Sequence, residues 1–188
     1  MPANRILRFR VPFGFLFAAW YLWLVKLAAP GRLAACTVVV ALGCALRSWA
    51  AGYLLKGKRV AVGGPYAYVR NPLYLGSFII GAGFCLALYR SPPSASVFLL
   101  YVVYLLGFVL IYGAKGRAEE EELLRTLGPA YETYRRQVPA LLPVRGKVSG
   151  LGKQSFSSEL YRRNREYQCI GGSLAVLAFL FWRTTHGV

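Results

Sequence analysis

With 188 residues the chain has room for about one domain, on a prior of ~150 residues each. Apolar residues make up 56% and charged residues only 16%, against the ~45–50% and ~25% usual in soluble domains, which excludes soluble globular, disordered and fibrous classes. A net charge of +16 on so apolar a chain points to nucleic acid or an anionic membrane surface, and the placement of the bases decides between them.

In chain order, apolar stretches run over Val11–Ala29, Leu33–Leu55, Leu73–Tyr89, Ser94–Gly113 and Cys169–Trp182. A span needs about 20 residues at 1.5 Å each to cross ~30 Å of hydrocarbon, so the first four suffice and the fifth is short. The bases gather between alternate stretches. Arg5, Arg8 and Arg10 precede the first; Lys56, Lys58, Arg59 and Arg70 follow the second; eleven more lie from Lys115 to Arg165. The opposite side holds only Arg32, Arg90 and Arg183. By the excess of Lys and Arg in cytoplasmic loops, the N-terminus is expected in the cytoplasm. Five spans put the C-terminus outside; an interfacial fifth stretch keeps it inside.

The expected fold is an all-α polytopic membrane bundle, a single domain over residues 1–188. Residues 1–56 carry two spans, 57–143 a motif-bearing core with spans three and four, 144–168 a basic linker and interfacial helix, and 169–182 the short fifth stretch. Leu33-Ala34-Ala35-Cys36 mimics a lipoprotein cleavage site, but the apolar run before it is too long and Pro30-Gly31-Arg32 interrupts it. Cys36, Cys44, Cys85 and Cys169 all fall in apolar stretches without a C-x-x-C pair and read as packing residues. The single histidine, His186, is two residues from the end, so neither a His-based metal site nor a Ser/His/Asp set is expected. Lys26 reads as a snorkelling anchor, and Gly76, Gly81 and Gly83 as points of close helix packing. Arg47, about eight residues inside the second stretch and so ~12 Å deep, either snorkels or faces the bundle to counter a substrate carboxylate or a glutamate.

Two segments on the basic side are too patterned for ordinary loops. The first runs from Arg59 to Gly76. Gly63-Gly64-Pro65 makes one turn, Asn71-Pro72 another that opens the third helix, and Tyr66, Tyr68 and Tyr74 collect at the membrane surface. The second follows the fourth span, where Glu119-Glu120-Glu121-Glu122 leads into a stripe of Leu123, Leu124 and Leu127. Gly128-Pro129 stops that helix, and Tyr131 and Tyr134 lie three apart on the next. All seven acids of the chain are glutamates between Glu119 and Glu166. Taken singly, the segments could be an aromatic belt and a solvated helix start.

Together they resemble the membrane methyltransferases that include isoprenylcysteine carboxyl methyltransferase and the phospholipid N-methyltransferases, particularly bacterial members. Gly64-Pro65-Tyr66 and Arg70-Asn71-Pro72-Leu73-Tyr74-Leu75-Gly76 match the Gly-x-Tyr and Arg-His-Pro-x-Tyr-x-Gly pattern of that family. Glu119-Glu120, Leu123, Leu127-Gly128, Tyr131 and Tyr134 match its later one, and Val138-Pro139 and Leu142-Pro143 its ending. The likeness covers roughly Ala45 to Pro143. Asn71 stands where the family has histidine, and Leu127 where it has an aromatic.

The resemblance implies S-adenosylmethionine as cofactor, gripped by Val60, Ala61, Tyr66, Asn71, Pro72, Leu73 and Tyr74 and by Glu119 or Glu120. It implies Lys115 or Arg117 as substrate contacts, with Arg47 a further candidate. The implied reaction moves a methyl group to a carboxylate or amine of a lipophilic acceptor at the cytoplasmic interface, with the bilayer as partner and neither nucleic acid nor metal. Alignment and charge placement suffice for such a displacement, which suits a chain without a catalytic histidine. Two other functions fit the same composition: an NADPH-dependent sterol or steroid-type reductase, and a non-catalytic membrane scaffold.

Overall fold

In the computed structural model, residues 2–55, 59–89, 94–143 and 153–186 are described, with side chains from Pro12 onward. Lys56, Lys58, Arg90, the side chains of Arg5, Arg8 and Arg10, and the Gly/Ser-rich linker at 144–152 lie outside them. The regular elements among the described residues are all helices, without strands: α1 (Pro2–Leu24), α2 (Leu33–Ala51), α3 (Pro72–Ala87), α4 (Ala95–Leu127), α5 (Pro129–Gln137), α6 (Ser158–Asn164) and α7 (Tyr167–His186).

Local chemistry sets the ends of these helices. Pro72 occupies the first turn of α3, where its missing N–H costs no hydrogen bond. Ser94 caps α4 by accepting from the Val97 amide at 3.4 Å, and Ser157 caps α6 by accepting from Leu160 at 3.3 Å. Gly128, at φ +51°, breaks the chain between α4 and α5, a backbone state that side-chain-bearing residues rarely adopt.

α2 and α3 form the central hairpin. They touch backbone to backbone: a Cβ on Gly43 would lie 2.9 Å from the Gly76 carbonyl oxygen and from the Ile80 nitrogen. Gly83 meets Val40 of α2 in the same way, while Gly81 accepts the Tyr104 ring of α4. α1 packs on α4, and α7 lies against α2, around a core that includes Leu24, Cys36, Val40, Leu88, Leu100 and Leu180. Cys36 is fully buried in that core, as a packing residue would be.

Two segments, Pro30–Ala51 and Ala95–Leu127, are long and apolar enough to cross a membrane; Pro12–Leu27 and Pro72–Ala87 are apolar but shorter. α7 covers the fifth stretch with 20 residues and is not one of the two. Phe15, Leu16, Leu42, Phe98, Leu105, Leu106, Val109, Leu110 and Leu174 are all more than half exposed, an apolar exterior suited to hydrocarbon rather than water. Two boundaries differ from expectation. α4 does not stop at Gly113 but continues to Leu127, 33 residues in all and about 50 Å, so roughly 20 Å of it projects beyond a 30 Å layer. Lys115-Gly116-Arg117 is polar without being helix-breaking, and one glycine costs only ~1 kcal/mol. α2 ends at Ala51, which puts Arg47 one turn, about 6 Å, from its end rather than ~12 Å.

Candidate functional site

The two patterned segments meet at the end of the bundle where α2 stops, α3 starts and the outer half of α4 projects. Among the described residues between α2 and α3, the backbone is irregular except for a short 3-10 turn at Gly64–Ala67. Gly64 there has φ +55° and packs against the Tyr53 ring, which an added Cβ would approach to 2.5 Å. The turn brings Tyr66 inward, where it is buried with Ala50 and Ala61.

A cavity of about 500 Å³ opens here, within the usual range for small-molecule sites. The first segment contributes Val60, Ala61, Tyr66, Asn71, Pro72, Leu73 and Tyr74 to its walls, and α4 contributes Lys115, Glu119 and Glu120. Glu122, Leu123, Thr126 and, from α5, Tyr131 and Tyr134 complete that side. Positions 115, 119, 122, 123 and 126 repeat at three and four residues and so share one face of α4, while Glu121 points to solvent.

The carboxylates are held differently. Glu119 accepts from the Tyr74 hydroxyl at 2.5 Å and lies 3.5 Å from the Lys115 ammonium, one helical turn before it. The same ammonium sits 5.3 Å from the centre of the Tyr74 ring. Glu120 receives Nε and Nη2 of Arg70 on one oxygen, at 3.0 and 2.8 Å, and lies 3.5 Å from Arg135 through the other. Arg70 also donates Nη1 to the carbonyls of Arg135 and Val138, at 2.7 and 2.8 Å. Its backbone amide bonds Pro139, and the Asn71 amide bonds Ala140. One arginine thus fastens the first segment to α4 and to the end of α5.

The Asn71 side chain donates to the Ala140 carbonyl at 3.1 Å, which uses one of the two N–H groups of its amide. Tyr134, buried, donates to the Tyr66 carbonyl at 2.9 Å. Burial raises the pKa of Tyr66, Tyr131 and Tyr134, that of Tyr131 to about 12, with Glu120 the next contribution at Tyr131. These phenols stay neutral donors at any physiological pH.

Two candidates stand apart from the cavity. Arg117 is exposed and turns back to the Gly113 carbonyl at 3.1 Å. Arg47 faces the bundle, and its partner is Glu166 in the turn just before α7, a residue not singled out from the sequence as a site residue. Arg47 Nε and Nη2 meet the two oxygens of that carboxylate at 2.9 and 3.0 Å. Nη1 donates to the Leu73 carbonyl at 3.1 Å and to the Ser77 hydroxyl.

A second cavity, about 390 Å³, lies between α1 and α4 and is lined mostly by aromatic rings: Phe13, Phe17, Tyr104, Phe108 and Tyr112, with Lys115 at one end. Lys115 borders both cavities. The Tyr112 ring stacks on Phe108 at 4.4 Å and meets Tyr74 edge-on at 5.0 Å, so an aromatic row runs from the bundle to the polar cavity. Among the described residues no three of His, Cys, Asp and Glu gather as a metal ion would require.

Fold and site together define an all-helical, lipid-suited bundle with a tyrosine- and glutamate-lined cavity at one end. Known proteins similar to the chain include methanethiol S-methyltransferase of Crocosphaera subtropica, 36% identical over 84 residues, which are 45% of this chain and 29% of that protein. Methanethiol S-methyltransferase of Mycobacterium tuberculosis is 35% identical over 42% of this chain and 28% of its own length. The nickel-cobalt-cadmium resistance protein NccN of Alcaligenes xylosoxydans xylosoxydans is 34% identical over 52% of this chain and 43% of its own. The matched part is thus under a third of the length of those methyltransferases. No family model matches the chain, and no solved structure does.

Proposed function

We propose that the chain is an integral membrane methyltransferase that uses S-adenosylmethionine. One observation carries the reading: residues from two segments some fifty positions apart, each matched to a methyltransferase pattern, line a single cavity. The similarity to proteins named as S-methyltransferases supports the same class of chemistry.

The donor set suits that cofactor. Val60, Ala61, Pro72 and Leu73 offer an apolar floor for an adenine ring, and the Glu119 and Glu120 carboxylates offer acceptors for hydroxyl or amino groups. Tyr66 and Tyr74 bring to the wall aromatic rings, a group whose face favours a cation. Bound there, S-adenosylmethionine supplies an electrophilic methyl group that needs no further activation. Lys115, at the junction of the two cavities, would draw an anionic acceptor toward Tyr74 and offset its charge. The aromatic cavity between α1 and α4 would hold the lipophilic part of the acceptor and keep water from the reacting end.

In this reading the basic loops and the polar cavity face the cytoplasm, the N-terminus lies inside, and the apolar helices sit in the bilayer as a single multi-pass domain. The acceptor is a carboxylate or amine on a lipophilic molecule. The names of the similar proteins favour a second acceptor, a small thiol. The test is transfer of labelled methyl from S-adenosylmethionine by the purified full chain, offered a membrane lipid extract or methanethiol in parallel. Label is expected in one of the two acceptor fractions; label in neither contradicts the reading.

A further inference from the structure

Val60 and Ala61 line the polar cavity, and the stretch Val60–Gly63 that carries them belongs to no helix, so its backbone groups have no helical partners and only the Gly63 carbonyl is met from its own segment, by the Tyr66 amide at 3.1 Å. A side chain some ninety positions later supplies further partners. Gln154 Oε1 accepts from the amides of both Val62 and Gly63, at 2.9 and 3.0 Å, and its Nε2 donates to the Val60 carbonyl at 3.1 Å. The contact is also tight in packing, since a Cβ on Gly63 would lie 2.7 Å from that of Gln154. Gln154 does not line the cavity itself and reaches it only through the wall.

The stretch that carries Gln154 is anchored independently of that amide. Phe156 meets Tyr53 edge-on at 6.0 Å, and the Ser157 amide bonds the Gly52 carbonyl at 2.9 Å. The Asn164 side chain donates to the carbonyls of Ala51 and Leu54, each at 2.9 Å, closing the end of α2. Removing the Gln154 amide therefore frees the wall without releasing the strap.

We propose that Gln154 is a positioning residue for the cofactor: it fixes the Val60–Gly63 wall in the shape that presents Val60 and Ala61 to the bound nucleoside. This rests on the methyl-transfer reading of the cavity. The side chain matches its three partners as only an amide can, with one acceptor shared by two N–H groups and one donor for a carbonyl.

The test uses the full chain in detergent, with Gln154→Met, which keeps the length and removes the hydrogen bonds, and Gln154→Glu, which keeps the acceptor and loses the donor. The Met variant is expected to bind S-adenosylhomocysteine about 10-fold more weakly, from loss of two or three net hydrogen bonds. Its kcat at saturating cofactor and its KM for the acceptor should stay unchanged, its amides at 62 and 63 should exchange faster with solvent, and the Glu variant should recover part of the affinity. Wild-type binding with an unaltered Kd in the Met variant overturns the proposal alone. So does a weakened affinity that the Glu variant leaves equally weak. Failure of the wild-type chain to bind at all overturns the methyl-transfer reading and the proposal with it.

Discussion

Arg70 and Glu120, fifty positions apart, form an ion pair that ties the two segments that build the cavity: two guanidinium N–H groups converge on one carboxylate oxygen at 3.0 and 2.8 Å. Both side chains are largely buried, and the remaining guanidinium nitrogen holds two carbonyls at the end of α5. Such a pair draws its value from geometry, because a desolvated charge left without its partner costs more than the pair returns.

Arg70→Ala is therefore expected to lower stability by about 3 kcal/mol, the low end for breaking a buried pair because Arg135 still reaches Glu120. Arg70→Lys should keep little of the lost stability, since a single ammonium cannot serve a carboxylate and two carbonyls at once. Thermal unfolding of the detergent-purified variants measures both; a lysine variant as stable as wild type would contradict the role given to the fork.

Arg47 and Glu166 make the corresponding tie between α2 and α7. Arg47→Met alone should cost about 3 kcal/mol by leaving Glu166 buried and unpaired, whereas Arg47→Met with Glu166→Met should recover most of it. A double-mutant cycle by thermal unfolding reads the coupling. Additive losses would mean that the two side chains act separately.

Much of this site is legible in the sequence, but unevenly. The motif residues from Val60 to Tyr74 and from Lys115 to Glu120 carry recognisable spacing, and eleven of them line one cavity. Arg70 opens its motif and could have been singled out for that reason. Glu166 and Gln154 could not, because their partners lie 119 and about 90 positions away, in segments whose own periodicity says nothing of each other. The full length of α4 was hidden by the polar stretch at Lys115–Arg117. Composition marks where hydrocarbon ends, and a helix can continue past that point on its side-chain propensities and its contacts with α5.

The α2–α3 contact depends on absent side chains. Gly43→Ala is expected to destabilise by about 1–3 kcal/mol, since its Cβ would meet backbone atoms that cannot swing aside. Gly172→Ala, in α7 with open space around it, should instead be neutral or stabilise by about 0.5–1 kcal/mol through helix propensity. Thermal unfolding of the pair distinguishes packing from propensity; equal effects of the two would contradict the close approach.

The buried phenols give a defined alkaline limit. Their pKa values are raised in the folded state, so the folded chain holds its protons where the unfolded chain, at a tyrosine pKa of about 10, releases them. This contribution is complete below pH ~10 and is lost as pH rises toward about 12, the value for Tyr131. The unfolding midpoint should fall over that window, and less steeply in Tyr131→Phe. An identical slope in the variant would show that other groups set the limit.

The central claim is that the cavity between the two segments holds S-adenosylmethionine, and calorimetry of the full-length chain with S-adenosylhomocysteine tests it most directly. Saturable binding by the wild type is expected, with no binding of NADPH and loss of at least 10-fold in affinity in Tyr74→Ala and Glu120→Ala, each of which removes a wall contact. Binding of NADPH in its place, or S-adenosylhomocysteine binding that both substitutions leave intact, would contradict the account.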